Sequence, residues 1–251
     1  MRVLITNDDG ADAPGIRALA SSVRDRGYET VVAAPAEEAS GMSAALTAVT
    51  EDGRVAFRTH PLGYAVAASP AFIVVLAALG VFGPPPDLVL SGINRGANTG
   101  RGVLHSGTVG AALTAANQGF RGLAVSLDVI APGDTFTVTE DARLHWSTAA
   151  DLAADLLDRL ADAPHRTVLN LNVPDRPAAE LRRATLASFG QVRMAVAEHG
   201  ADFARLTLER DEPPEENSDV ALLSQGYATL TALQPVTEAP NISIPTQRIP
   251  R

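Results

Sequence analysis

Two adjacent acids, Asp8 and Asp9, close the segment Val3-Leu4-Ile5-Thr6-Asn7-Asp8-Asp9-Gly10. Neighbouring carboxylates repel, and a hard divalent cation with oxygen ligands is the leading candidate to sit between them. Further segments carry groups of the same kind. Ser40-Gly41 offers a hydroxyl, and Ser91-Gly92-Ile93-Asn94-Arg95-Gly96-Ala97-Asn98 offers the amide oxygen of Asn94. Asp8, Asp9, Ser40 and Asn94 make an oxygen-rich set suited to magnesium or manganese and poorly suited to zinc. His105-Ser106-Gly107-Thr108 runs directly into the small-residue stretch Val109-Gly110-Ala111-Ala112-Leu113. Free backbone amides at a helix start, backed by the positive end of its dipole, cradle phosphate. Each segment alone has a plainer reading. Asn-Asp-Asp-Gly is also turn chemistry, Ser40-Gly41 an ordinary loop, Asn94 a residue holding its own glycine-rich turn, and Ser106 or Thr108 an N-cap.

Absences narrow the chemistry. The chain has no cysteine, and every cation in its Lys+Arg total of 20 is arginine. That removes cysteine nucleophiles, Schiff-base lysines and a Walker A loop. Phosphatases of the haloacid dehalogenase type also need a lysine. An Arg-His-Gly histidine nucleophile is absent, and the spacing of Gly92, Gly96 and Gly100 is not the dinucleotide fingerprint. His60, His105, His145, His165 and His199 are scattered, and only His105 falls in a candidate segment. What remains is hydrolysis by water activated on a metal. The net charge of -9 argues against a surface for duplex nucleic acid.

The candidate segments need a scaffold that brings them to one rim. An open α/β sheet does this, because its ligands bind beyond the carboxyl ends of its strands. Apolar runs predict strands at residues 3–6, 30–34, 64–67, 87–92, 123–127 and 168–171. Helices are predicted at 14–26, 71–79, 108–117 and 140–160, and a hairpin at 49–57 with its turn at Asp52-Gly53. Strand–helix alternation points to a doubly wound, mostly parallel sheet. After Pro174 short β-like runs at 205–208 and 228–230 alternate with polar stretches, and residues 235–251 hold four prolines. Such a tail cannot build its own core and is expected to pack on a partner subunit. Residues 62–86 carry no charge. Proline and glycine break them into an apolar run of about ten residues, short of the ~20 that span a bilayer. Acids follow closely on Met1, unlike a signal peptide, so a cytoplasmic protein without membrane attachment is expected.

Taken together, Asn7-Asp8-Asp9-Gly10, Ala13-Pro14-Gly15-Ile16, Ala34-Pro35 with Ser40-Gly41, residues 91–98 and Ser106-Gly107-Thr108-Val109-Gly110-Ala111-Ala112 closely resemble the SurE family, the survival protein E phosphatases. The resemblance is dense over residues 1–130 and continues through Asn170-Leu171-Asn172-Val173-Pro174 and Gly226-Tyr227. It implies a divalent-metal-dependent phosphomonoesterase acting on nucleoside 5′- or 3′-monophosphates. It also implies a Rossmann-like core in residues 1–225 and a C-terminal extension, 226–251, used for exchange between subunits of a homodimer or homotetramer. By motif, one magnesium or manganese ion per subunit would be held by Asp8, Asp9, Ser40 and Asn94, with Asp8, Asp9 and Asn94 catalytic. Substrate contacts would fall to Gly41, Asn98, Ser106, Gly107 and Thr108. The chain departs from the family at Ala68-Ser69-Pro70-Ala71-Phe72-Ile73, where SurE proteins usually read Gly-Thr-Pro-x-Asp-Cys, and at His105, often a tyrosine. These changes leave the ligand set intact and point to an altered pocket. A non-nucleotide phosphorylated metabolite is therefore the alternative substrate, and a non-catalytic nucleotide-binding protein the alternative class.

Overall fold

The computed structural model describes residues 1–129, 140–177, 179–188, 193–200, 203–209 and 214–239. Strand β1 (Arg2–Thr6) is followed by helix α1 (Pro14–Asp25), strands β2 (Glu29–Pro35), β3 (Thr50–Glu51), β4 (Arg54–Val55), β5 (Phe57–His60) and β6 (Gly63–Val66), and helix α2 (Pro70–Ala78). Next come β7 (Leu88–Arg95), α3 (Gly107–Asn117), β8 (Arg121–Asp128), α4 (Trp146–Asp155), α5 (Leu157–Asp162) and β9 (Val168–Pro174). The chain continues with β10 (Leu181–Arg183), β11 (Arg193–His199), β12 (Ala204–Glu209), α6 (Asp219–Ser224) and β13 (Ala228–Leu233).

Nine strands form one sheet in the order β10-β13-β9-β8-β7-β1-β2-β6-β5. The run from β6 to β9 is parallel, while β5 pairs antiparallel with β6 and β13 with β9. Side chains alternate across the sheet, as strand geometry requires. Val3 and Ile5 of β1 join a core under α1 and α4, whereas Leu4 joins another under α2 and α3. The predicted α/β fold is therefore observed, with helices on both faces. From β1 the chain winds outward to β2 and β6, then returns to lay β7 on the other flank of β1. This reversal makes the crevice beyond β1 and β7 the topological switch point, where such sheets bind ligands.

The motif Ala13-Pro14-Gly15-Ile16 serves packing. Pro14 starts α1, and a Cβ on Gly15 would lie 2.2 Å from the carbonyl oxygen of Ile93 and 3.0 Å from the Trp146 ring. Only glycine lets α1 lie this close to β7.

Several expectations need correcting. The strand predicted at 87–92 runs on to Arg95, with its register against β8 shifting between Ser91 and Asn94. Residues 93–95 thus extend the strand, where a glycine-rich turn was expected. The helix predicted over 140–160 begins only at Trp146 and breaks at Leu156. The backbone N–H of His145 is taken by the Asp175 carboxylate at 2.7 Å, outside any helical ladder. Near the C-terminus, β11 and β12 form a separate hairpin, but β13 lies inside the main sheet. Most of the proline-rich tail, residues 240–251, lies outside the described residues. Among the described residues, no helix is long and apolar enough to cross a membrane.

Candidate active site

An open cleft of about 810 Å³ occupies the switch point, lined by Asp8, Asp9, Ser40, Gly41, Asn94, Asn98 and Ser106. Each comes from the carboxyl end of a strand or the loop after it. The turn after β1 divides its labour. Asn7 Nδ2 donates to the Gly10 carbonyl at 2.9 Å, and Gly10 takes the positive φ of 100°. The turn chemistry thus falls to Asn7 and Gly10, and the two acids are left for other duty.

Asp8 is only 4% exposed, and the Thr108 hydroxyl donates to its Oδ1. Asp9 Oδ2 accepts the backbone N–H of Arg95 at 3.2 Å. Burial pushes the Asp8 carboxyl upward. Burial, then the charge of Asp8, pushes Asp9 up to about 7. Desolvated like charges this close call for a cation. Among the described residues, no group of three or more His, Cys, Asp or Glu is placed to hold a metal. The two carboxylates with the neutral oxygens of Ser40 and Asn94 form a donor set that fits magnesium or manganese.

The pair also predicts a pH effect on the metal-free protein. The folded pKa of Asp9, about 7, lies above the ordinary 3.8. The stability linked to this group is therefore present below the ordinary value and lost as pH rises through 7. Thermal melts in chelator should drop by roughly 4 °C or more between pH 5 and pH 8, and magnesium should remove most of that drop. A melting temperature independent of both pH and magnesium would refute this account of the pair.

The neutral oxygens are oriented by their own neighbours. Asn94 Nδ2 donates to the Gly96 carbonyl at 2.8 Å, which commits the nitrogen and leaves the amide oxygen as the ligand-type atom. Asn94 thus holds its own turn and lines the cleft as well. The exposed Ser40 donates to Glu38 Oε1 at 2.8 Å, leaving the hydroxyl oxygen's lone pairs unused.

The start of α3 faces both the cleft and Asp8. Ser106 caps the helix, its Oγ accepting the Val109 N–H at 3.1 Å, and it lines the cleft. Thr108 is fully buried, does not line the cleft, and directs its hydroxyl at Asp8. A Cβ on Gly107 would fall 2.8 Å from Asp8 Oδ2. Gly107 and Thr108, expected to touch substrate, pack against Asp8 at the helix start and are not among the residues lining the cleft.

Sequence reasoning missed the residues that hold Asn98. Its N–H donates to Asn172 Oδ1 at 2.7 Å, and its carbonyl accepts from Asn170 and Asn172 at 2.8 and 2.9 Å. Its Nδ2 donates to Ser126 Oγ at 2.9 Å. Asn170 and Asn172 are fully buried in β9. Their spacing of two in an otherwise apolar strand was the available signal, because it puts both amides on one face. The altered segment at 68–73 does not line the cleft. Within it Ser69 caps α2, accepting the Phe72 N–H at 3.4 Å.

Fold and rim define a class: Rossmann-like α/β proteins with an acid pair at the switch point. The model of one family, described as Survival protein SurE, matches residues 3–196. The 5'-nucleotidase SurE of Solidesulfovibrio magneticus is 39% identical over 253 residues, covering 93% of this chain and 91% of the relative. The 5'/3'-nucleotidase SurE of Edwardsiella ictaluri is 35% identical, covering 93% of this chain and 90% of that protein. The crystal structure of the SurE protein from Aquifex aeolicus matches with a TM-score of 0.72 at 27% identity, over 93% of both chains. The chain belongs to the SurE family.

Proposed function

We propose that this chain is a divalent-metal-dependent phosphomonoesterase that hydrolyses nucleoside 5′- or 3′-monophosphates to nucleoside and phosphate. The observation that carries this reading is the desolvated pair Asp8 and Asp9 at the switch point, with Ser40 and Asn94 on the same rim. Relatives named as nucleotidases support the phosphatase class and the nucleotide substrate. Asp8, Asp9, Ser40 and Asn94 would hold one magnesium or manganese ion per subunit. Such an ion, when bound, supplies neutralising charge and Lewis acidity toward phosphoryl oxygens and water. Thr108 keeps the Asp8 carboxylate in its orientation, and the Gly96 carbonyl keeps the Asn94 amide in its own. Gly41, Asn98 and Ser106 line the cleft where the substrate would lie. We read the protein as a homodimer or homotetramer, with the β11–β12 hairpin or the segment beyond residue 233 as its arm.

The metabolite alternative drew on Phe72, and no residue of its segment lines the cleft, so the nucleotide reading is preferred. Phosphate release decides between them. Nucleoside 5′- and 3′-monophosphates and a set of sugar phosphates are compared with magnesium, with manganese and with chelator. Hydrolysis of the nucleotides with the highest kcat/KM, abolished by chelator, is expected. Preference for a sugar phosphate would move the substrate class. Nucleotide binding without phosphate release under either metal would overturn the enzyme reading.

A further inference from the structure

Asp219 is a fully buried carboxylate outside the cleft, and nothing in the proposed chemistry uses it. Its hydrogen bonds come from the backbones of three segments. Oδ2 accepts the Gly100 N–H at 2.8 Å, and Oδ1 accepts those of Ala187 at 3.0 Å and Val220 at 2.9 Å. The Ala187 carbonyl in turn accepts the Arg101 N–H at 3.1 Å, closing a ring through Gly100, Arg101, Ala187 and Asp219. Charge-assisted bonds of this kind offset the desolvation of a buried carboxylate and fix the groups they join.

What they fix is the segment that walls one side of the cleft. Asn98, Gly102, His105 and Ser106 all line it. Asn98 is tied to β9, and Ser106 caps the buried α3. Between them the chain runs through a 3-10 turn, Gly100–His105, whose start rests on Asp219 and Ala187. Ala187 and Asp219 also lie on the two chain segments flanking the β11–β12 hairpin. A single carboxylate thus ties these two segments to the cleft wall.

We propose that Asp219 is a positioning residue, setting His105 and Ser106 against the bound phosphate through the Gly100 link. This rests on the reading of the cleft as a phosphomonoester site. Asp219→Asn is the test, because its least costly orientation keeps Oδ1 for Ala187 and Val220 and turns an NH2 group toward the Gly100 N–H. Kinetics and calorimetric binding of inorganic phosphate should show kcat/KM lower by on the order of ten- to hundredfold, carried by KM, with phosphate affinity falling in parallel. The activation constant for manganese should stay at the wild-type value, since the proposed metal ligands lie outside the Gly100–His105 turn. Ser218→Ala removes the N-cap of the same helix, where Ser218 Oγ accepts the Ala221 N–H at 3.2 Å, and should leave KM unchanged. A merely structural role would lower kcat with the folded fraction and leave KM and phosphate affinity alone, or would let Ser218→Ala shift them equally. Either result overturns the proposal. If Asp219→Asn does not fold, hydrogen exchange on the wild type decides. Phosphate should increase protection of the Gly100 and Ala187 amides, and unchanged protection would count against the link. A wild type that neither releases nor binds phosphate defeats the functional reading, and this proposal with it. A wild type that does both, matched by Asp219→Asn, defeats this proposal alone.

Discussion

Asp8→Asn is expected to lower phosphomonoester turnover by about 10³-fold while the chain stays folded. The substitution keeps the shape of the side chain, and the amide oxygen can still accept the Thr108 hydroxyl, so the turn after β1 has no reason to rearrange. What is lost is charge at a site that is only 4% exposed. In the metal-free protein that loss is favourable, because it removes a desolvated anion and the repulsion that helps push Asp9 up to about 7. Melting in chelator should therefore be unchanged or a few degrees higher than wild type. With magnesium the order reverses: the wild type gains stability from a bound cation and the variant does not. Activity and stability thus move in opposite directions, a pattern that general damage to the fold cannot produce. Wild-type turnover by the variant with manganese, or a melting temperature well below wild type in chelator, would show that Asp8 has some other role.

The sequence made the rim legible and left its supports hidden, for a physical reason. Strand identity follows from short apolar runs, so β1, β2, β6 and β7 could be placed, and the loops after them followed by the switch-point rule. The residues that orient those loops carry no local pattern. Asp219 lies 119 positions from Gly100 in the chain, and only the packing of α6 beside β9 and β13 brings them together. The β5–β6 pairing went unseen because Pro61-Leu62 gives a weaker turn signal than Asp52-Gly53. The case of α3 is different. Its start was correctly found, yet an anion site at a helix N-terminus does not specify which anion fills it. A phosphate is expected there, and Thr108 at the same helix start also donates its hydroxyl to the protein's own Asp8. Phe72 shows another limit, since a departure from a family pattern marks a changed residue but not its place relative to the cleft, which no residue from 68 to 73 lines.

Gly107→Ala separates these two roles of a helix start. By helix propensity alone the change is favourable, because alanine in a helix gains up to about 1 kcal/mol over glycine. Gly107 opens α3 without a positive φ, so backbone conformation does not require glycine there. Contact does. The new Cβ would lie 2.8 Å from Asp8 Oδ2, 3.0 Å from its Cβ and 3.1 Å from its Cγ. Asp8 is short, buried and held by Thr108, so it cannot swing aside as a surface side chain would. Either the carboxylate is displaced from the Thr108 hydroxyl or α3 lifts away from β1. Both outcomes move a proposed metal ligand by a fraction of an ångström to an ångström, and misplacement on that scale costs about 10²-fold in turnover. The expected result is kcat reduced by about that factor and a weaker apparent affinity for magnesium. The change in melting temperature should be small, because the helix gain offsets part of the crowding. Metal titration of activity, run beside a thermal melt in chelator, reads both quantities. Unchanged magnesium affinity and turnover would mean that the close approach of α3 to Asp8 is only packing, and that the helix start does not set the geometry of the acid pair.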